Sequence, residues 1–297
     1  MPADRSKPRS KAVQPKFLVS EEELRLIDIA LAEDLGPGDW TTKWVVPARS
    51  RAQARIVAKA DGVIAGLAVA STVFTRLDPR TEITATVVDG SRVHEGDVVC
   101  TIRGNARTIL SGERTALNFL QRLSGIATMT RAFVDAVAGT DAAILDTRKT
   151  TPGWRALEKA AVKAGGGQNH RFGLFDMVLI KDNHIAIAGG VAEAIKRVRD
   201  SNTESLQVEV EVRDKEELRA ALDAGCDIVL LDNMDVQQIR EAVRVIKQRA
   251  PETKAEASGN MTLERVRAVA ETGVDYISVG ALTHSVAALD LSLQMQT

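Results

Sequence analysis

At 297 residues the chain is long enough for two domains, or for one large barrel with additions. Its formal net charge of −1 sets up no overall field for nucleic acid, so any attraction for anions must be local. No apolar run approaches the ~20 residues that a membrane helix needs, which excludes a membrane partner. The two cysteines, Cys100 and Cys226, lie far apart and read as buried thiols of a reducing compartment, so a cytoplasmic location is expected.

The chain opens on a basic, proline-bearing stretch that predicts a disordered tail over residues 1–18. Ser20-Glu21-Glu22-Glu23 is a capping box. It predicts a helix through Leu24, Ile27 and Leu31 that ends at Gly36-Pro37-Gly38-Asp39. Residues 52–104 read as a small sheet domain with a helix over 67–77. Within it, 83–88 alternates toward Asp89-Gly90 and 93–99 repeats the pattern, a hairpin signal. A long helix is predicted over 107–138. Ala116, Leu117, Leu120, Leu123 and Ala127 share one stripe of it, and Arg107, Ser111, Arg114, Asn118 and Gln121 the opposite one. That polar stripe reads as a solvated face, or as a face presented to another subunit.

From residue 142 onward the sequence repeats an apolar run, a polar tip and a helix. The runs are 142–145, 177–180, 206–212, 228–231, 255–257 and 276–279. The helices between them fall at 154–164, 191–199, 215–224, 236–249 and 263–271. This alternation forces parallel strands, and six units predict a barrel short of the usual eight. No GxGxxG opens the first unit, which argues against a dinucleotide-binding sheet.

In such a barrel the chemistry sits at the C-terminal tips of the strands. Those tips carry Arg148 and Lys149; Lys181, Asp182, Asn183 and His184; Glu209 and Glu211; Asp232 and Asn233; Ser258, Gly259 and Asn260; and Gly280. With His170 and Arg171 behind a triple glycine, residues 146–184 concentrate cations suited to an anionic ligand. Small residues at 258–260 and 280 let backbone amides approach a phosphate, although Ser-Gly-Asn also serves ordinary turns. Glu211 and Asp232 suit Mg²⁺ or sugar hydroxyls, or a buried pairing with a barrel lysine. Lys181 has a second reading, as a Schiff-base lysine.

Three segments carry a specific resemblance: Thr147-Arg148-Lys149-Thr150-Thr151-Pro152-Gly153, Gly165-Gly166-Gly167-Gln168-Asn169-His170-Arg171 and Leu179-Ile180-Lys181-Asp182-Asn183-His184. Together with Glu113-Arg114-Thr115-Ala116-Leu117-Asn118, Val208-Glu209-Val210-Glu211-Val212, Leu231-Asp232-Asn233-Met234 and Ala257-Ser258-Gly259-Asn260, they resemble the quinolinate phosphoribosyltransferases, the decarboxylating nicotinate-nucleotide pyrophosphorylases of NAD synthesis. The resemblance covers about residues 20 to 295.

The resemblance implies an α/β fold. An N-terminal α/β sandwich would span 19–125, and an incomplete open (β/α) barrel of about six strands would span 126–284. Residues 285–297 would return to the first domain as a last helix. It further implies transfer of a phosphoribosyl group from 5-phosphoribosyl 1-diphosphate to quinolinate with loss of CO₂, aided by Mg²⁺. Arg148, His170, Arg171 and Lys181 would hold the carboxylates of quinolinate, joined by Arg114 from the other chain of a homodimer. Thr147 and Lys149 would lie at the substrates, Lys149 toward the ribosyl donor. Glu211 and Asp232 would contact ribose hydroxyls and metal, directly or through water. Ser258, Gly259, Asn260 and Gly280 would take the 5-phosphate. Lys149, Lys181, Glu211 and Asp232 would be the catalytic set.

Overall fold

The computed structural model describes residues 19–296, so the expected tail over 1–18 lies outside the described residues. The capping box forms as the sequence predicts. Ser20 Oγ accepts from the Glu23 amide at 3.2 Å and Glu23 returns a carboxylate oxygen to the Ser20 amide at 2.6 Å. Helix α1 (Glu21–Leu35) follows, burying Ile27 and Leu31, and ends where Gly36 takes φ +48°. Asp39 then caps a short helix, α2 (Trp40–Val45), that the periodicity did not predict.

The first domain continues through β1 (Arg51–Ala58), β2 (Gly62–Val63), α3 (Leu67–Leu77), β3 (Glu82–Ala85), β4 (Arg92–Val93) and β5 (Val98–Asn105). The expected hairpin across Asp89-Gly90 is not formed: β3 pairs with β5, and β4 pairs with β2. The Asp89 carboxylate instead accepts from the amides of Gly66 and Leu67, at the start of α3. The turn's backbone is likewise paired elsewhere, the Gly90 amide donating to the Ile64 carbonyl at 2.8 Å and the Ile64 amide to the Ser91 carbonyl at 3.0 Å.

Helix α4 (Ala106–Ala136) buries the predicted stripe. Its polar stripe is only partly solvated. Arg107 donates to the carbonyls of Val46 and Lys43, Ser111 to Asp39, and Gln121 to the Leu291 carbonyl. Arg114 and Asn118 remain exposed.

The barrel strands are β6 (Ala143–Leu145), β7 (Val178–Ile180), β8 (Val208–Val212), β9 (Ile228–Asp232), β10 (Lys254–Ser258) and β11 (Tyr276–Ser278). The helices among them are α5 (Arg155–Ala164), α6 (Asp182–Ala188), α7 (Val191–Ser201), α8 (Lys215–Ala224), α9 (Val236–Arg249) and α10 (Leu263–Ala270), followed by α11 (Ala281–His284). All six strands are parallel and run in the order β6-β11-β10-β9-β8-β7. The first two strands in sequence are therefore the two edges, and the ring stays open between them. Gln168 partly fills the gap, bridging in parallel to Leu145 beside β6.

The chain returns to the first domain, but not as the expected helix. Strand β12 (Leu291–Gln296) pairs antiparallel with β1 and completes the sheet order β12-β1-β5-β3. The segment alternates Leu291, Ser292, Leu293, Gln294, a period of two that suits a half-buried edge strand. On its way it crosses α4 at Gly125, where an added Cβ would lie 2.1 Å from the Ala287 carbonyl oxygen. Alanine gains about 1 kcal/mol over glycine in a helix, whereas overpacking against an immovable group costs about 1–3 kcal/mol or more. Gly125→Ala is therefore expected to destabilise the protein, read as a lower denaturant midpoint with an unchanged slope.

Candidate active site

The C-terminal ends of the barrel strands surround a cavity of about 680 Å³. Of the residues expected there, Thr147, Arg148, Lys149, His170, Arg171, Lys181, Glu211, Asp232, Ser258, Gly259 and Asn260 all line it. Gly280 does not, but it touches the site from behind: a Cβ there would fall 3.2 Å from Lys149 Cδ. Arg114 is exposed on α4 and does not line the cavity of its own chain. His184 is also outside. Its Nδ1 accepts from the Lys181 amide at the start of α6, a capping task.

One wall is cationic. The Arg148 Nε is buried without a hydrogen-bond partner among the described residues. Arg171 donates to the Met177 carbonyl at 3.2 Å. Burial, then the nearby Arg148 charge, holds the Arg171 guanidinium below its ordinary pKa. Two guanidiniums that repel each other in a half-buried wall define a site for an anion. Lys181 reaches across to Glu211, Nζ to Oε2 at 3.0 Å. A lysine so paired and half exposed lacks the desolvation that a Schiff-base amine needs, so that reading loses support.

The opposite wall is acidic and loop-built. Glu211 and Asp232 sit at the ends of β8 and β9. Asp232 accepts from the Asn233 side chain at 2.7 Å. Next to them the chain takes left-handed turns at Asn233, Gly259 and Asn260, with φ of +53°, +93° and +49°. A Cβ at Gly259 would meet Asn233 Oδ1 at 2.2 Å, so only glycine allows this close loop packing. Such strained positions gather at ligand clamps.

Beneath the cationic wall lies a group that sequence reasoning only half found. Glu209, named at a strand tip, and Glu256, not singled out at all, are both buried with His170 between them. His170 Nε2 lies 3.0 Å from Glu209 Oε2 and 3.5 Å from Glu256 Oε2. The Arg171 amide donates to His170 Nδ1 at 2.8 Å, which leaves Nε2 as the protonated nitrogen. Burial holds the imidazole pKa below its ordinary value. Burial thus disfavours the imidazolium and Nδ1 is taken by the Arg171 amide, while His170 still lines the cavity as expected. Burial pushes Glu209 up to about 7 and, with the neighbouring Glu209 charge, Glu256 up to about 8. The three ligand atoms lie within 4.8 Å of one another, close enough for a metal ion. Arg171 and Lys181 already act on Glu209, however, and a proton satisfies such a carboxylate pair without adding a further divalent charge. The sequence signal for Glu256 was a lone charge in an inward strand, Ala255-Glu256-Ala257, where burial demands a partner.

Two family models match the chain. The quinolinate phosphoribosyl transferase N-terminal domain matches residues 39–124, and the C-terminal domain of the same family matches residues 126–294. The chain is 45% identical to the mitochondrial quinolinate phosphoribosyltransferase [decarboxylating] 2b of Nicotiana tabacum, over 97% of this chain and 86% of the relative. It is also 45% identical to a probable nicotinate-nucleotide pyrophosphorylase [carboxylating] of Bacillus subtilis, over 91% and 92%. The solved nicotinate-nucleotide pyrophosphorylase of Francisella tularensis superposes with a TM-score of 0.90 at 40% identity, over 96% of this chain and all of that one.

Proposed function

The chain belongs to the quinolinate phosphoribosyltransferase family, and from that premise we propose how its barrel mouth divides the work. The enzyme joins quinolinate to 5-phosphoribosyl 1-diphosphate and releases diphosphate and CO₂, giving nicotinate mononucleotide for NAD synthesis. The observation that carries this reading is the pairing, in one cavity, of a cationic wall at Arg148, Arg171 and Lys181 with a carboxylate and left-handed-loop wall at Glu211, Asp232 and 258–260.

Arg148, Arg171 and Lys181 hold the two carboxylates of quinolinate and aim the pyridine nitrogen at the ribose. Lys149 lies on the donor side, and the loop at Ser258, Gly259 and Asn260 takes the 5-phosphate, with Gly280 giving room to the Lys149 stem. His170 joins Arg148, Arg171 and Lys181 on the same wall and, through Nδ1, holds the Arg171 amide. The nitrogen lone pair forms the bond to ribose C1 as the C1–oxygen bond breaks, the electron pair leaving with diphosphate. Glu211 and Asp232 stabilise the positive charge that grows on the ribose ring. The product pyridinium then accepts the electron pair of the breaking C2–carboxylate bond. CO₂ departs and C2 takes up a proton, with no protein base needed to remove one.

Glu211 and Asp232 are hard oxygen donors at the open rim, with carboxylate oxygens not taken by Lys181 or Asn233. That donor set fits Mg²⁺, which keeps several waters and binds through one or two carboxylates plus substrate phosphates. When bound, Mg²⁺ neutralises charge on the departing diphosphate. Incubation with quinolinate labelled at the C2 carboxylate is expected to release labelled CO₂ and yield nicotinate mononucleotide by mass. Chelation is expected to stop turnover while quinolinate still binds. Ligand binding without turnover in the presence of Mg²⁺ would sink the reading.

The cationic wall gains a further arginine in a homodimer, where Arg114 enters the neighbour's cavity. The exposed face that carries it supports this: α2, tied to α4 through Asp39 and Ser111, shows Trp40, Trp44 and Val45 to the outside. A cytoplasmic setting suits the two buried, separate thiols, which burial pushes up to about 12 at Cys100 and about 11 at Cys226. No helix among the described residues is long and apolar enough to cross a membrane.

A further inference from the structure

Consecutive residues of α5, Glu158 and Lys159, are both charged and both buried, at 0% and 1% exposure. Neighbours on a helix point about 100° apart, so the two side chains reach different parts of the site.

Glu158 faces the loop after β6. One carboxylate oxygen accepts from the Thr151 amide at 3.1 Å, and the other from the Thr151 hydroxyl at 2.9 Å and from Arg122 at 3.1 Å. The same Arg122 nitrogen donates to the Thr283 carbonyl, and the Thr283 hydroxyl donates to the Lys149 carbonyl at 2.7 Å. The backbone from the Lys149 carbonyl to the Thr151 amide is therefore tied to Glu158, directly at Thr151 and through Arg122 and Thr283 at Lys149.

Lys159 faces the glycine-rich loop. Its ammonium donates to the Asp146 carboxylate and, at 2.9 Å, to the His170 carbonyl. Asp146 accepts in turn from the His170 amide at 2.9 Å, and from the Asn169 side chain at 2.8 Å once that amide is oriented to its neighbours. His170 and Arg171 thus hang from the Lys159–Asp146 pair.

Buried ion pairs are poor sources of stability, because desolvation offsets much of their attraction, and apolar replacements are often neutral. Three buried charges next to an active site call for another task. We propose that Glu158 and Lys159 are positioning residues that set the two substrate subsites separately, Glu158 the ribosyl-donor side through Lys149 and Lys159 the quinolinate side through His170 and Arg171. This rests on the functional reading above.

The test is a crossed one. Glu158→Gln and Thr283→Val probe the donor side; Lys159→Met and Asp146→Asn probe the quinolinate side. Small displacements of positioning groups cost up to about 100-fold. Donor-side variants are expected to raise the KM for 5-phosphoribosyl 1-diphosphate by about 10- to 100-fold, and to leave the quinolinate Kd, read by calorimetry without donor, within about twofold. Quinolinate-side variants are expected to reverse that pattern. Should Glu158→Gln fail to fold, Thr283→Val carries the donor arm, since it removes one hydroxyl and keeps the ion pair. Parallel movement of both constants in all variants, or a lowered melting temperature with unchanged constants, overturns the proposal. Wild type is the control that separates the two claims. If it turns over while the variants shift both constants together, only this inference falls; if wild type does not turn over, the functional reading itself has failed.

Discussion

Lys181→Ala is expected to lower kcat/KM by about 10³-fold, and an equal mixture of Lys181→Ala and Arg114→Ala chains to regain about a quarter of wild-type activity. The first number follows from what Lys181 touches. It lines the cationic wall and is the partner of Glu211 at 3.0 Å. Its loss would leave one substrate carboxylate less held and one protein carboxylate unpaired. Truncating one partner of a hydrogen-bonded charge pair costs about 2–5 kcal/mol, and each 1.4 kcal/mol is about tenfold in rate. The second number follows from two-fold symmetry. Arg114 is exposed and outside its own cavity, whereas Lys181 lies inside. In a dimer with shared sites, a hybrid collects both lesions in one site and leaves the other intact. Half the dimers would be hybrids and half of their sites whole. No recovery on mixing, after unfolding and refolding the chains together, would place Arg114 outside the partner's site.

What could be read from the sequence follows a physical division. Strand tips were legible because each short apolar run ends abruptly in polar residues, and a parallel strand flanked by helices presents that end to a common mouth. Hence Arg148, Lys181, Glu211, Asp232 and Ser258 meet in one cavity as expected. The order of the strands was not legible. No local signal makes β6 pair with β11 and leaves it an edge opposite β7. The pairing of Lys159 with Asp146 was hidden for a similar reason, since it depends on which face α5 turns to the sheet. The Asp89-Gly90 turn has hairpin chemistry, but its carboxylate serves α3 instead. The final strand shows the opposite failure. Its period of two was present in Leu291 to Gln294, and the resemblance to a family overrode it with a helix. The surroundings of His170 were not legible, because the type of a residue does not reveal its partners. A histidine among arginines reads as one more cation until two buried carboxylates and a backbone amide are found around it.

Those carboxylates give the second prediction. Glu256→Gln is expected to stabilise the protein relative to wild type as pH rises, by roughly 4 kcal/mol at pH 8.5 compared with pH 5. Glu256 is fully enclosed on β10, with Glu209 beside it on β8 and His170 between them. Burial first, and the Glu209 charge second, push its carboxyl from the ordinary 4.5 up to about 8. The folded chain therefore holds this proton up to about pH 8, while the unfolded chain releases it near 4.5. Between those values the folded state binds more protons than the unfolded state. Stability must then fall as pH rises through that window, with the loss complete above it. Glutamine keeps the shape and a hydrogen-bonding end but carries no proton to release, so the variant escapes the loss. At this chain length the difference corresponds to about 6 °C in melting temperature. Thermal unfolding of both proteins at pH 5 and pH 8.5 measures it. A constant gap between the two curves would mean that Glu256 is already ionised in the fold, compensated by the cationic wall above it rather than by a proton.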